Sequence, residues 1–313
     1  MADNQLTLFS ACPAKKEKID FRKEAVQFLR QIQAQARTIN AHYQNLRQFF
    51  HFLWLNHVEN PTEENVVNYK FWLEEKKFKP GTANKFLITI KMFFKWLAEK
   101  DAYKDITKKI KLFPDEKFYK KDPLSLEQAK NLLGVVNRNT LMGKRNYAII
   151  SLMLSCGLRR IEVSRANIGD IKKSPTGENL LFLQGKGCLE KNNFVKLPLH
   201  VFEAIKEYLE ARGNKSPEEP LFNTLCNRRL QPDTISKIVK GYLAKIGIKN
   251  NSKITTHSLR HTTAVLNLLD NGTLEETQQL LRHKNISATM IYAFHLKKLE
   301  NKSEARIDNI LFN

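Results

Sequence analysis

The chain has 313 residues, enough for one large domain or two of ordinary size, each with a buried core. Its 52 Lys and Arg residues against 32 Asp and Glu give a net charge of +20. This charge attracts polyanions and makes nucleic acid the leading partner, and a basic protein whose lysines serve only solubility is the alternative. The sequence has no long uncharged apolar run and no signal-peptide pattern, so we expect a protein that does not span a membrane. Its four Cys show no metal-ligand spacing. We therefore expect no disulfide framework and a location in the reducing cytoplasm.

Two compositions meet near residue 120. The first 120 residues hold 20 of the 30 aromatic residues, and they carry 22 basic and 14 acidic residues, a net +8. The remainder carries 30 basic and 18 acidic residues, a net +12. Pro114 and Asp122-Pro123 disfavour a continuous helix at the junction. We therefore expect a flexible N-terminus at 1–18, a helical domain at 19–111, a linker at 112–122 and a second domain at 123–313.

The first domain is predicted to be all-α. Apolar residues recur at helical spacing from Thr38, and Pro61-Thr62-Glu63-Glu64 and Pro80-Gly81-Thr82 have the residue types that begin helices. On the third of these helices Lys91 and Lys95 lie off the apolar stripe. They are candidates for phosphate contacts, with a solvated helix face as the alternative.

The second domain is predicted to combine helices with a small antiparallel sheet. Two apolar, β-prone runs, Leu180–Leu183 and Phe194–Leu197, flank a connection that contains Gly185-Lys186-Gly187. Helical patterns surround this pair at about 125–136, 144–156, 159–165, 199–211, 232–246, 257–270 and 274–282.

Several kinds of catalytic site are excluded by missing motifs. The sequence has no GxxxxGK[ST], no HExxH and no compact acidic cluster of the kind a two-metal nuclease uses. His257 and His261 are four residues apart and would place two zinc ligands on one helix face. No third ligand is near, and the cationic Arg260 lies between them. We expect no metal and no cofactor.

The remaining motifs form an ordered series. Arg159 lies in Ser155–Glu162 after a long apolar helix, Lys186 lies between two glycines, and Tyr292 follows His283 by nine residues. The order Arg, Lys, His-x-x-Arg, His, Tyr across 134 residues resembles that of the tyrosine recombinase (phage integrase) family, in particular its short Xer-type members. The six matching positions are Arg159, Lys186, His257, Arg260, His283 and Tyr292.

This resemblance implies a mainly α protein of two domains: an all-α N-terminal core-binding bundle and an α+β catalytic domain with a small antiparallel sheet. It also implies a site-specific recombinase that cuts and rejoins DNA through a 3′-phosphotyrosyl intermediate and a Holliday junction, as an Xer-type enzyme or a mobile-element integrase. The expected partners are a double-stranded DNA site and further copies of the chain. Four protomers would assemble on DNA, two per site, and an accessory protein or partner recombinase is left open.

The chemistry explains the residue types. A tyrosine with a pKa near ~10 is a weak nucleophile at neutral pH, and a phosphodiester repels nucleophiles through its own charge. Two guanidiniums that bind phosphate oxygens relieve this repulsion. The resemblance gives that role to Arg159 and Arg260 and makes Tyr292 the nucleophile. It also makes Lys186 the general acid, and it places His257 near the nucleophile and His283 on a non-bridging oxygen.

Three nearby features extend this interpretation. Glu162 is expected to orient Arg159, although a plain ion pair is the alternative. Arg282 stands where the family commonly has Gly, and it is expected to add a cation near the phosphate. The tail after Tyr292 ends in an apolar patch that, by resemblance, docks on a neighbouring protomer or else packs on its own domain. Its residues are Ile307, Ile310, Leu311 and Phe312.

Three other functions stay open. A type IB-like topoisomerase uses similar residues but reseals the same strand. A non-catalytic DNA-binding regulator does not need the six-residue set. A metal-dependent nuclease needs acidic ligands that the sequence does not bring together.

Overall fold

The chain divides into two compact units, Met1–Glu116 and Lys117–Asn313. The computed structural model describes the following residues, with the backbone alone at 295–300: 19–114, 121–185, 190–213, 216–249 and 251–312. None of the helices in this described part is long and apolar enough to cross a membrane.

The described part of the first unit is a bundle of four helices. These are α1 (Phe21–Gln31), α2 (Ala36–Leu55), α3 (Glu63–Glu75) and α4 (Pro80–Glu99). The buried faces of α2, α3 and α4 meet in an aromatic core that contains Phe49, Tyr69, Phe93 and Phe94. Edge-to-face pairs such as Phe49–Tyr69, with ring centroids 5.1 Å apart, add to the energy of burial. The expected all-α bundle is confirmed.

Helix α1 was not among the expected elements. Asp20 caps it by accepting hydrogen bonds from the backbone N–H groups of Arg22 (3.0 Å) and Lys23 (3.1 Å). Its apolar face, which includes Phe21 and Phe28, joins the aromatic core. The bundle therefore begins with a helix before the one predicted from Thr38.

The two lysines of α4 have different surroundings. The ammonium of Lys91 donates to the backbone carbonyls of Thr107 (2.6 Å) and Ile110 (2.9 Å), so it is committed to the end of its own unit. Neither expectation for Lys91, a phosphate contact or a solvated face, matches this geometry. Lys95 is exposed and lies 3.7 Å from Glu99.

The second unit packs nine described helices around a three-stranded sheet. The helices before the sheet are α5 (Leu126–Gly134), α6 (Leu141–Ser155) and α7 (Arg160–Arg165). Those after it are α8 (Leu199–Arg212), α9 (Pro232–Lys245), α10 (Thr256–Leu269), α11 (Leu274–Leu281), α12 (Ser287–Glu300) and α13 (Ser303–Phe312). Buried side chains of α6, including Ile149 and Leu152, form the centre of the core, and α8 packs against this helix.

The sheet is antiparallel in the order β1 (Ile171–Lys173), β2 (Asn179–Leu183), β3 (Asn193–Lys196). Leu181 pairs with Val195, and both are buried, so this face of the sheet joins the core. The β2–β3 pair was expected and is present. Strand β1 was not expected, because two of its three residues are exposed lysines and it offers no apolar alternation.

Candidate active site

Helix α10 carries three side chains of the site, those of His257, Arg260 and His261. Thr255 precedes the helix, and its N–H donates to the hydroxyl of Ser258 (2.9 Å), which fixes the first turn. His257 is exposed at the helix start, whereas the side chain of Arg260, one turn further, is buried with 2% exposed. Because α10 packs against α6, α11 and α12, its residues lie near Arg159 after α6, His283 after α11 and Tyr292 on α12.

Arg260 joins two of these motifs. Its Nη1 donates to the carbonyl of Gly157 (2.5 Å), and its Nη2 donates to the carbonyl of Leu281. The two loops approach closely, since a Cβ on Gly157 would lie 2.7 Å from Leu281 Cδ2, and Gly157 has a φ of +58°. Burial, with Arg159 and Arg282 nearby, lowers the pKa of Arg260 to about 9, so it is still a cation at neutral pH. A buried cation thus lies where the loops converge.

Arg159 is oriented by Glu162. The carboxylate of Glu162 accepts hydrogen bonds from the backbone N–H of Arg159 and from its Nη1, both at 2.8 Å. Burial raises the pKa of Glu162, but Arg282 and Arg159 together bring it below its usual value. The carboxylate is therefore ionised and holds Arg159 at the start of α7.

Arg282 also binds Glu162. Its Nη2 lies 3.0 Å from Glu162 Oε2, and its Nη1 donates to the carbonyl of Leu280 (2.7 Å). Its backbone is left-handed, with a φ of +53°, a conformation that glycine adopts without steric cost. The side chain therefore turns onto the buried carboxylate, and two arginines share one acid.

Tyr292 lies on α12 and contacts α10. Its side chain is 3% exposed, and its Oη forms a hydrogen bond with Nδ1 of His261. The two rings have centroids 5.3 Å apart. Burial raises the pKa of Tyr292 to about 12 against the opposing effect of Arg260 and Arg159, and burial lowers that of His261 to about 4. A neutral imidazole thus meets a neutral phenol.

Sequence reasoning did not find this histidine as a partner of the tyrosine. From the sequence, His261 is considered only as a possible zinc ligand, and the position near the nucleophile is assigned to His257. Among the described residues, no three His, Cys, Asp or Glu side chains are placed to hold a metal ion. The readable signal was that His261 follows Arg260 on the same helix. The contact itself depends on how α10 and α12 pack.

His283 follows α11 directly. Its Nδ1 forms a 2.8 Å hydrogen bond with the hydroxyl of Thr289, and its carbonyl accepts one from the side chain of Gln278 (3.0 Å). Burial and then the charges of Arg260 and Arg159 lower the pKa of His283 to about 4. The imidazole is neutral at physiological pH and is held in one orientation.

Lys186 lies outside the described residues. The strands on either side of it end at the pair Leu183–Asn193, and Arg165 Nη1 donates to the carbonyl of Gly185 (3.2 Å). Of the six residues singled out from the sequence, the described part of the chain brings five together. They are Arg159, His257, Arg260, His283 and Tyr292.

A groove beside these residues has basic walls. It has a volume of about 280 Å³ and is lined by Arg159, His257, Arg260, Arg160 and Lys240, with no carboxylate among its described lining residues. Such a groove favours an anion. The start of α10 opens onto it, and the positive end of the helix dipole there acts in the same direction.

The comparisons with known proteins identify the family of this chain. Residues 123–298 match the phage integrase family, and residues 21–104 match the phage integrase N-terminal SAM-like domain. A tyrosine recombinase of Synechocystis sp. is 30% identical over 83% of this chain and 81% of its own. A tyrosine recombinase XerC of Thermodesulfovibrio yellowstonii is 29% identical over 85% and 89%. The chain therefore belongs to the phage integrase family.

Solved structures share the fold. A XerH site-specific recombinase bound to a palindromic difH substrate superposes with a TM-score of 0.73 at 18% identity, covering 94% of this chain and 91% of its own. A lambda integrase dimer bound to a COC′ core site gives 0.70 at 14% identity, covering 87% and 93%. The two-domain, mainly helical architecture with a small antiparallel sheet is thus confirmed.

Proposed function

We propose that this protein is a site-specific tyrosine recombinase, in which Tyr292 forms a covalent 3′-phosphotyrosyl ester with DNA. The observation that carries the proposal is the convergence of Tyr292 with Arg159, Arg260 and His283 beside a basic groove. The curated relatives named as tyrosine recombinases support the same activity.

The proposed step displaces one oxygen by another at phosphorus. Tyr292 Oη bonds to phosphorus as its proton passes to a neighbouring histidine, the bond to the 5′ oxygen breaks, and Lys186 gives that oxygen its proton. Arg159 and Arg260 hold the non-bridging oxygens with charge-assisted hydrogen bonds. By analogy with oxyanion donors, each arginine contributes a factor of ~10²–10³ in rate. His283, neutral and fixed by Thr289, donates a further hydrogen bond to the phosphate.

The ester keeps the energy of the broken bond. A 5′-hydroxyl of a partner duplex attacks the phosphotyrosyl link, restores the DNA and frees the tyrosine. Two such exchanges in succession pass through a Holliday junction. The reaction uses no nucleotide hydrolysis, in keeping with the missing P-loop motif.

The proposal assigns DNA contacts to both units and assembles four protomers on DNA, two per site. Residues 19–111 would form the core-binding domain, 112–122 the linker and 123–313 the catalytic domain with its tail, and the expected flexible N-terminus at 1–18 lies outside the described residues. Both parts are basic, at +8 and +12, as partners of one duplex need to be. The cytoplasm is the proposed location, and the thiols of Cys156 and Cys226 are free.

Helix α13 supports assembly between protomers. None of its described residues is buried, although Ile307, Ile310, Leu311 and Phe312 are large and apolar, with exposures of 56%, 76%, 66% and 78%. Packing of this tail on its own domain does not occur in the described structure. An apolar helix face of this kind fits the surface of a neighbouring protomer.

The test is covalent capture of DNA. Tyr292→Phe removes only the nucleophilic oxygen, so it should bind the DNA site with unchanged affinity and form no denaturant-resistant adduct. Tyr147→Phe is the matched control, because it removes a phenol from α6 and should leave the adduct intact. An adduct in Tyr292→Phe would overturn the assignment.

Two further measurements separate the other functions. Adduct formation should persist in EDTA, whereas a metal-dependent nuclease would stop and recover with Mg²⁺. Sequencing the products should show strands exchanged between two duplexes. Products resealed only within one duplex would indicate a type IB-like topoisomerase instead.

A further inference from the structure

We propose that Arg282 is a positioning residue, which keeps the Glu162 carboxylate ionised and so keeps Arg159 aimed at the phosphate under attack. This inference rests on the proposed function and deepens it, since it assigns a residue that prepares one of the two phosphate-binding arginines. Its basis is the ion pair between Arg282 Nη2 and Glu162 Oε2, 3.0 Å apart, on a carboxylate that also holds Arg159.

The carboxylate of Glu162 is shared between three donors. Its Oε1 accepts from Arg159 Nη1 (2.8 Å), and its Oε2 accepts from the backbone N–H of Arg159 (2.8 Å) and from Arg282 Nη2 (3.0 Å). The side chain of Glu162 is 2% exposed, so these donors rather than solvent supply its hydrogen bonds. Because both oxygens are engaged, the carboxylate cannot turn without breaking a bond to one of the arginines. This arrangement fixes the direction of the Arg159 side chain.

The guanidinium of Arg282 is itself held in place. Its Nη1 donates to the carbonyl of Leu280 (2.7 Å), with longer contacts of 3.4 Å from Nη1 to the carbonyl of Cys156 and from Nη2 to that of Gly157. These carbonyls belong to the loop after α6 and to the end of α11, the same two places that Arg260 joins. The side chain of Arg282 is only 9% exposed, so it is a fixed cation of the protein rather than a mobile surface charge.

Burial and charge oppose each other at Glu162. Burial has the largest effect on its pKa and raises it, and the charge of Arg282 has the next largest and lowers it, ahead of each contribution of Arg159. Without Arg282, the pKa of Glu162 should therefore rise, and the carboxyl should take up a proton at higher pH. A protonated carboxyl has an O–H donor in place of an acceptor. Arg159 would then lose a hydrogen bond that orients it.

Other titratable and charged groups face Glu162 from the surrounding elements. They are Arg159 beside it, Cys156 after α6, Arg160 and Asp233 where α7 meets α9, and His257 and Arg260 on α10. The thiol of Cys156 is neutral because burial raises its pKa to about 12, and Arg160 pairs with Asp233 at 2.8 Å. Among the described residues, Arg282 and Arg159 are thus the two cations in contact with the carboxylate.

The experiment compares two variants that keep a side chain on the same backbone. Arg282→Gln loses the charge, and Arg282→Lys keeps it. Single-turnover adduct formation is measured between pH 5.5 and 8, with saturating protein and a nicked DNA substrate whose released end cannot rejoin. Each rate is divided by the native rate at the same pH. This ratio removes pH effects that all the proteins share, such as the ionisation of Tyr292.

The two variants should differ in their pH dependence. At pH 5.5, Arg282→Gln should be slower than the native protein by up to about 10²-fold, the cost of misplacing a reacting group by about 1 Å. Its ratio should recover toward pH 8, because a carboxyl with a raised pKa is ionised again above that pKa. For Arg282→Lys the ratio should not change with pH, since the ammonium also stabilises the carboxylate.

A double substitution shows whether Arg282 acts through Glu162. Glu162→Gln has no charge at any pH, so its ratio to the native rate should be flat. Adding Arg282→Gln to it should slow the adduct by less than about threefold, because the partner through which Arg282 acts is already gone.

A matched control separates this effect from general loss of stability. Arg212 on α8 is likewise buried, with 3% of its side chain exposed, and it pairs with Glu219 at 2.6 Å. Arg212→Gln should leave the ratio independent of pH. Where Arg282→Gln fails to fold, Arg282→Gly relieves the left-handed backbone and should show the same loss of rate at low pH.

Three results would overturn the inference. The first is a pH-independent ratio for Arg282→Gln, which would leave Arg282 a purely structural residue. The second is a pH dependence in Arg282→Lys as steep as in Arg282→Gln. The third is an equal effect of Arg282→Gln in the native and Glu162→Gln backgrounds, which would mean that Arg282 acts independently of Glu162. A native protein that forms no adduct at any pH would instead reject the proposed function.

Discussion

Arg282 Nη2 lies 3.0 Å from Glu162 Oε2, and the same carboxylate holds the backbone and guanidinium of Arg159. Two arginines thus share one buried acid, and the cluster keeps a net positive charge. Without Arg282, Glu162 would offset the charge of Arg159 alone. Arg282, whose backbone is left-handed, therefore changes the electrostatics of the site through its ion pair with Glu162.

Substitutions at Arg282 distinguish the stabilising effect of its ion pair with Glu162 from the cost of its left-handed backbone. Arg282→Ala and Arg282→Gly both remove the ion pair with Glu162, so both should unfold at lower urea concentration than the native protein. Only the alanine variant keeps a side chain at φ +53°. We expect the glycine variant to be more stable than the alanine variant by about 1 kcal/mol in free energy of unfolding. Equal stabilities would show that the left-handed backbone stores no strain.

Thr256→Val should stabilise the free protein. The hydroxyl of Thr256 is buried at the start of α10 and has no hydrogen-bond partner among the described residues. Removing an unsatisfied buried hydroxyl should raise the free energy of unfolding by about 1 kcal/mol, as measured by urea denaturation.

Thr262→Val is the matched control on the same helix. Its hydroxyl accepts from the N–H of Leu124 (2.8 Å) and donates to the carbonyl of Ser258 (2.8 Å), so its loss should destabilise the protein. A destabilising Thr256→Val would contradict the prediction. Weaker DNA binding by Thr256→Val would show that DNA supplies the missing partner.

The free energy of unfolding should fall as the pH drops below 6.5, at pH values where most carboxylates are still ionised. His261 and His283 have folded-state pKa values of about 4, below the usual 6.5, because both are buried. Between these values the unfolded chain binds protons that the folded chain does not, so stability is full above pH 6.5 and falls as the pH drops toward 4. The urea midpoint should decline from pH 7 to pH 5, and His283→Asn should decline less. An unchanged midpoint over this range would contradict the neutral buried imidazoles.

Deletion of 303–313 should separate folding from assembly. Helix α13 buries none of its described residues, so the melting temperature of the free protein should not change. Its four apolar side chains are each worth ~1.5–3 kcal/mol when fully buried on a neighbour, less ordering costs. We expect single-site binding and some strand cleavage to remain, and pairing of two sites in native gels to disappear. A lower melting temperature together with weak DNA binding would contradict docking between protomers.

Much of the fold follows from local patterns. The stripe Phe86, Ile90, Phe93 and Leu97 predicts α4, and the apolar, β-prone run Leu180–Leu183 predicts β2. Helix α1 has the same kind of apolar spacing, at Phe21, Ala25 and Phe28, so the sequence pattern is sufficient to predict this helix as well. Strand β1 carries no such signal, because pairing with β2 rather than its own sequence makes it a strand.

The site could be predicted only as far as its motifs extend. The order of the motifs predicts Arg159, Arg260, His283 and Tyr292 as site residues, and these four lie close together in the structure. Contacts between side chains far apart in the chain depend on packing. His261 meets Tyr292 across 31 residues, and Arg282 meets Glu162 across 120. Neither pair has a sequence spacing that reveals it.

If protomers assemble through the exposed helix α13 as proposed, that helix would also set how assembly depends on concentration. Protomers bound to neighbouring sites on one duplex meet at an effective concentration on the order of millimolar, whereas free chains in a cell are far more dilute. A tail that binds its acceptor surface only weakly would then leave free chains apart and still join those that DNA holds side by side. Under the proposed function the duplex is thus both the substrate and the template for assembly, and strand exchange is confined to DNA carrying a complete set of sites.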